Sequence, residues 1–193
     1  EATISDTIDT DVAIYDLNSF LSILSLVGDD ADIIMQEDGN LAIKDARSTI
    51  FWPAADPSTI VFPTKPIPFP VANVIIDFKG EDLQQLMRVS RGMQIDTIAI
   101  TNVDGKIVLR GYNKVEDAAL TRPKYSLTLG DYEGDGNFNF IINMSNMKMT
   151  IGDYKLMLWA KMNGSKKQTA AKFEGASASY VVAMEADSTF DFE

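Results

Sequence analysis

The chain has neither cysteine nor histidine. Without thiolates there is no disulfide framework and no cysteine zinc site. Without imidazole the commonest general base and metal ligand are gone, and with them every Ser-His or Cys-His nucleophile pair. Catalysis would have to run on carboxylates, lysine or tyrosine alone, so the expected protein is not an enzyme and carries no cofactor. Long apolar runs are also missing. The longest, 20–27, is interrupted by Ser22 and Ser25 and is far too short to cross a bilayer, so no membrane is expected among the partners. No segment reads as a secretion signal. Basic residues are the minority, 17 Lys and Arg against 28 Asp and Glu for a net charge of −11. That excludes a protein coating nucleic acid over its whole surface, but not one that meets a polyanion on a single face.

What is present is a core. With 193 residues, 46% of them hydrophobic, the chain can fold as one large or two small domains. It opens at Glu1 in what reads as mid-strand sequence, without an initiator Met, and a preceding N-terminal segment is expected. Six of the seven prolines fall between Pro53 and Pro70. Proline fixes φ and donates no ladder hydrogen bond, so this stretch predicts an extended connector and not a strand within a sheet. Its apolar residues, Phe62, Ile67 and Phe69 among them, predict a connector strapped across a surface.

On either side of the connector a helix-then-hairpin unit recurs. Leu17 and Leu83 are 66 residues apart, as are Gly39 and Gly105. In the first copy a helix is predicted over 16–27, with Asp16 as cap, Gly28 as stop and Leu17, Phe20, Leu21, Leu24 and Val27 as the buried stripe. Strands at 32–35 and 41–44 flank Asp38-Gly39, a two-residue hairpin signal, and 46–52 continues as a strand. In the second copy a strand at 73–78 leads into a helix over 81–91, stopped by Gly92. Strands are then predicted at 94–101, 106–112, 125–129 and 138–142. A third short helix, 143–148, precedes strands at 154–161, 171–174 and 179–185. Few helices and many strands with short turns predict an α+β fold.

The solvent-facing helix positions carry no acid. They are Asn18, Ser22 and Ser25 in the first helix; Gln84, Arg88 and Arg91 in the second; and Asn143, Asn146 and Lys148 in the third. Acids stand only at helix starts, where Asp16, Glu81 and Asp82 suit the dipole. Exclusion of acid from three matching faces in so acidic a chain points to a negative partner, and a smooth polyanion such as duplex DNA fits. Other motifs carry less. Asp131-Tyr-Glu133-Gly-Asp135-Gly136-Asn137 has EF-hand-like ligand spacing, but its twelfth position is Ile142 where a bidentate Glu is needed, so a solvated hairpin turn is expected. Gly134 and Gly136 begin a GxGxxG pattern that ends on Asn139. Asp29, Asp30 and Asp32 read as solvated loop acids, and Asp187, Asp191 and Glu193 as a mobile acidic tail.

Longer runs bring a family into view. Ala13-Ile-Tyr-Asp-Leu-Asn18, Asp45-Ala-Arg-Ser-Thr-Ile-Phe-Trp-Pro-Ala-Ala-Asp-Pro57, Glu81-Asp-Leu-Gln-Gln-Leu86, Lys124-Tyr-Ser-Leu-Thr-Leu-Gly-Asp131, Phe140-Ile-Ile-Asn143 and Tyr180-Val-Val-Ala183 closely resemble the sliding clamps of T-even-type bacteriophages. The resemblance spans essentially the whole chain. It implies a DNA-clamp fold of two similar domains, with antiparallel sheets outside and helices lining the inner face. Residues 1–52 would be the C-terminal part of the first domain, 53–70 the connector and 71–193 the second domain. Family members carry a few dozen further residues at the start, including the first strand and first inner helix.

The implied function is a processivity factor: a homotrimeric ring that encircles duplex DNA and tethers the replicative polymerase in the cytoplasm of the infected bacterial host. The implied partners are DNA, the polymerase C-terminal peptide and an ATP-dependent clamp loader. Gln84, Arg88, Arg91 and Lys148 would meet phosphates. Phe51, Trp52 and Tyr125 would lie at the subunit interface, where 46–52 runs beside a neighbour's 125–129. Phe62, Ile67, Phe69, Tyr180 and Val181 would form the partner pocket. The rival expectations are an interaction scaffold of the same fold that never encircles DNA and, more distantly, a carboxylate-based hydrolase.

Overall fold

In a computed structural model, residues 12–28, 30–60 and 68–192 are described. Residues 12–60 belong to one compact unit and 68–192 to another.

The smaller unit lays one helix against one sheet. Helix α1, Leu17–Leu24, starts at Asp16, whose carboxylate accepts hydrogen bonds from the Ser19 amide at 3.0 Å and the Ser19 hydroxyl at 2.6 Å. Strands β1 (Asp32–Met35), β2 (Asn40–Lys44) and β3 (Thr49–Pro53) pair antiparallel in chain order. Phe20, Leu41 and Ile43 form the core, with Ile23, Leu24, Val27, Ile50 and Trp52 packed around them. The buried stripe is narrower than the sequence pattern predicts, since Leu17 and Leu21 are more than half exposed. A helix of eight residues seated on three short strands covers only the side chains those strands can reach.

The larger unit has two antiparallel sheets and one long helix. Strand β4 (Val74–Phe78) leads into α2 (Gly80–Met93), then β5 (Thr97–Val103), β6 (Lys106–Tyr112), β7 (Tyr125–Asp131) and β8 (Phe138–Asn143). After these come β9 (Tyr154–Asn163), β10 (Lys166–Glu174), β11 (Ser179–Ala183) and β12 (Thr189–Phe190). The sheet orders are β11-β10-β9-β4 and β12-β8-β5-β6-β7. One core joins Leu83 and Leu86 of α2 to Phe78, Phe173 and Leu156 of the first sheet and Ile98, Leu109 and Phe140 of the second.

The repeat is real in the helix and the hairpin but not in the turn. Around Gly39 (φ 84°) the Gln36 amide donates to the Asn40 carbonyl at 2.8 Å and the Gly39 amide to the Gln36 carbonyl at 3.1 Å, giving a three-residue loop. The two-residue turn forms only in the second copy, where Asp104 (φ 49°) and Gly105 (φ 71°) are both left-handed between the paired Val103 and Lys106.

Several expectations are corrected. The second helix runs past Gly92 and closes on Gln94, which takes the left-handed φ of 54° itself. Its first amide, on Gly80, donates at 2.7 Å to the carboxylate of Asp153, a cap from a distant segment. A Cβ at position 80 would lie 3.0 Å from the Gly152 backbone, tighter than most Cβ contacts, so that approach favours glycine. The third helix is a single 3-10 turn, Met144–Asn146. There Asn143 accepts from the Ser145 amide at 2.9 Å, a side-chain bond that competes with helical pairing, and Met147 turns into the core. Pro53 sits in a sheet after all, at the end of β3 opposite Asn40, a strand terminus where its missing N–H is tolerated. Ala55 bridges Ala13, and Pro57–Thr59 is a 3-10 turn.

The segment after Asp131 is not a hairpin turn. Strands β7 and β8 lie on opposite sides of β5 and β6, so 132–137 crosses the end of the sheet, held by the Tyr132 hydroxyl donating to the Gly136 carbonyl at 2.8 Å. Nor is the C-terminal tail loose. Thr189 and Phe190 pair with β8, Ser188 is fully buried with its hydroxyl accepting from the Ile141 amide at 2.9 Å, and Lys114 pairs with Asp187 at 3.2 Å. Phe190 and Phe192 stack 6.0 Å apart against Phe138 and Phe140. Glu193 lies outside the described residues.

Candidate nucleic-acid interface

Helix α2 separates its residues by period. Leu83 and Leu86 are buried in the core, while Gln84, Arg88 and Arg91 recur at i, i+4 and i+7 and are exposed. The acids of this helix, Glu81 and Asp82, are confined to its first turn. Neither arginine is ion-paired with any other described residue, although Lys106, Lys114, Lys124 and Lys172 all are. Two guanidiniums three residues apart with no carboxylate partner among the described residues can each take a phosphate oxygen. Arg91 in the last turn also complements the helix dipole, a structural role independent of any ligand.

Lys148 is exposed too, but it follows the 3-10 turn and lies on no helix. Asn143 spends its side-chain oxygen on capping, and Asn146 is exposed. In the first copy Ser22 and Ser25 are exposed and the Ser25 hydroxyl donates to the Ser22 carbonyl at 2.7 Å; the Asn18 side chain lies outside the described residues. The cationic part of the face therefore belongs to α2 and Lys148.

The interface candidates all sit on edge strands. β3 closes one end of the three-stranded sheet and β7 one end of the five-stranded sheet. Along β3 the side chains alternate: Trp52 turns inward, its ring 5.5 Å from Phe20, and Phe51 turns outward at 63% exposure. Tyr125 is half-buried and its hydroxyl, shut off from solvent, has no hydrogen-bond partner among the described residues. That burial, and then the charge of Asp82, raise its pKa above the usual phenol value.

Of the pocket candidates, Phe62 and Ile67 lie outside the described residues and Phe69 is half-buried. Tyr180 and Val181 cannot floor one groove together, because neighbours on a strand point to opposite faces. Tyr180 packs toward the core with its ring 6.0 Å from Tyr154, and its hydrogen bonds with Thr150 lower its pKa from the usual value. Val181 points away at 54% exposure.

Comparison with known proteins gives this geometry a context. Residues 75–186 match the model of the gp45 sliding clamp C-terminal domain, and 1–62 match that of a DNA polymerase processivity factor. Over the whole chain, 72% of residues are identical to the sliding clamp of Enterobacteria phage T4, and 82% of that protein is covered. The sliding clamp of Escherichia phage RB69 is 71% identical, again with 82% covered. That of Vibrio phage KVP40 is 23% identical over 96% of this chain and 81% of its own.

The chain belongs to the gp45 sliding clamp family. It is a DNA polymerase processivity factor of the T4-like phages, with the α+β clamp fold of antiparallel sheets. Family membership places DNA and a DNA polymerase among the partners of this phage replication protein. Among the described residues no helix is long and apolar enough to cross a membrane. The family models leave 63–74 unmatched, a range that overlaps the proline-rich stretch.

Proposed function

We propose that the chain acts without catalysis, as one subunit of a homotrimeric ring that encircles duplex DNA and holds the replicative polymerase to it. The acid-free face of α2, with Arg88 and Arg91 exposed and ion-paired with no described residue, carries this reading. A ring retained by topology needs only weak, screened backbone contacts, and the chain's net charge of −11 discourages adhesion to other nucleic acid. In this arrangement 1–52 is the C-terminal part of the first clamp domain, 53–70 the connector and 71–193 the second domain.

The seam joins β3 of one copy to β7 of the next. Two unpaired edges satisfy each other's ladder groups in such a contact, and Phe51 and Tyr125 lie along it. An ATP-dependent loader opens and closes the ring, and the setting is the cytoplasm of the infected host. Retention on DNA tests the proposal. Loaded onto nicked circular plasmid, the chain is expected to survive a high-salt wash and to run off when the plasmid is linearised. Equal salt-sensitive loss from both forms would mean a scaffold that does not encircle DNA.

The polymerase's C-terminal peptide docks on the connector, whose prolines lower the ordering cost and whose Phe62, Ile67 and Phe69 supply apolar contacts. Ile67→Asp is expected to weaken that peptide at least tenfold in a calorimetric titration, since about 1.4 kcal/mol is one decade and a carboxylate in an apolar contact costs more. Equal affinities would move the site away from the connector.

A further inference from the structure

The inward side of the β11-β10-β9-β4 sheet is core, and its outward side is strongly patterned. Register across β9 and β10 sets Lys155 opposite Glu174, Met157 opposite Lys172, Trp159 opposite Ala170, Lys161 opposite Gln168 and Asn163 opposite Lys166. The alternate residues Leu156, Leu158, Ala160, Ala171 and Phe173 are buried, so these pairs face away from the core. Asp77 of β4 joins the face opposite Lys155, which leaves four lysines against two acids in a chain of net charge −11. Lys172 is engaged with Glu174 at 2.6 Å and, with Lys155, holds that carboxyl below the usual range. Lys161 and Lys166 form no ion pair among the described residues.

Strands β9 and β10 outrun their neighbours. β4 begins opposite Leu158 and β11 ends opposite Ala170, so residues beyond them form a two-stranded ribbon, tied at its root by the Ala160 amide donating to the Asn73 side chain at 2.7 Å and by Lys167 donating to the carbonyls of Ala186 and Ser188. Trp159 stands at the root of this ribbon. It is half-buried, stacks on no other described aromatic ring and is flanked by two hollows of about 540 and 350 Å³. The first is lined by Lys167, Gln168, Thr169, Met184 and Ala186, and the second by Asn73, Lys161, Met162 and Phe192.

We propose that this ribbon face is a second docking surface, for an acidic protein segment with an aromatic or aliphatic anchor. The anchor seats against Trp159 and its acids meet Lys161 and Lys166. Charge complementarity selects this occupant: the strip is a local reversal of the chain's overall sign, and an indole between cations suits one apolar contact bordered by carboxylates. The proposal goes beyond ring retention and the connector pocket and uses no residue of either.

The test is fluorescence in the full chain bearing Trp52→Phe, which leaves Trp159 as the sole reporter. The probe is a tryptophan-free synthetic peptide with a central Phe-Leu pair between runs of Asp and Glu. Saturable change in Trp159 emission is expected, weakened roughly tenfold by Lys161→Glu with Lys166→Glu and falling with added salt. Both lysines are exposed on the ribbon, so folding and retention on circular DNA are expected to be unchanged in that variant. Absence of saturable binding overturns the proposal. Equal binding of the same peptide with Asn and Gln in place of its acids also overturns it. Tighter binding of an oligothymidylate than of the peptide overturns it in favour of a single-stranded nucleic-acid platform.

Discussion

Replacing both arginines of the α2 face, Arg88→Glu with Arg91→Glu, is expected to shorten residence on closed-circular DNA by at least roughly tenfold while leaving the fold intact. Two attractive phosphate interactions become two repulsive ones, a change of four charges on one helix face. Even when screened, each interaction contributes on the order of half to one kcal/mol. Both side chains are exposed and touch no described carboxylate, so their replacement leaves no buried group unsatisfied. The measurement is single-molecule dwell time, with thermal unfolding alongside. The salt dependence of loading should also flatten, by about one unit of slope for each phosphate that is no longer neutralised. A variant with unchanged dwell time and salt slope would remove α2 from the DNA-facing surface.

Ending the chain at Ala186 is expected to lower stability by about 3–7 kcal/mol, a large fraction of what holds a domain of this size together. Three losses add. The buried Ile141 amide loses the Ser188 hydroxyl, which costs about 1–3 kcal/mol for a donor left unsatisfied. Phe190 and Phe192 leave the aromatic stack over Phe138 and Phe140, about 1–2 kcal/mol each at their half-buried positions. Lys167 also loses the Ser188 carbonyl it binds. Urea denaturation of the truncated and complete chains reads the difference directly. The single change Phe190→Ala should show part of it without shortening the chain. Equal midpoints for all three would mean that the tail contributes nothing to the folded state.

That tail shows where linear reading stopped. Asp187, Asp191 and the terminal Glu look like solvated ends because acids at a terminus usually are. The alternation that docks Phe190 and Phe192 spans only two strand residues, too few to register as a period. The crossing at 132–137 was hidden for a different reason. Gly134 and Gly136 signal a turn, but whether the flanking strands are neighbours depends on which strands lie between them. The 143–148 run reads as a short helix with Asn143, Asn146 and Lys148 outward; the local bond from Asn143 leaves it a single 3-10 turn. Gly92 reads as a stop, yet the helix continues through it and ends on a left-handed Gln94.

The sequence by itself determined the family, the α+β class, the repeat of helix and hairpin, and the cationic face of α2. These depend on side-chain type at fixed spacing, and a period of 3.6 places Gln84, Arg88 and Arg91 together however the helix is packed. The tertiary structure alone decided which elements close over which. It put Asp153 on the Gly80 amide, sent Tyr180 and Val181 to opposite faces, locked the tail onto β8, and left a lysine-rich ribbon with Trp159 outside the core. Each of these joins residues far apart in the chain or rests on pairing register, and local spacing carries no information about pairings that only the packing of whole sheets creates.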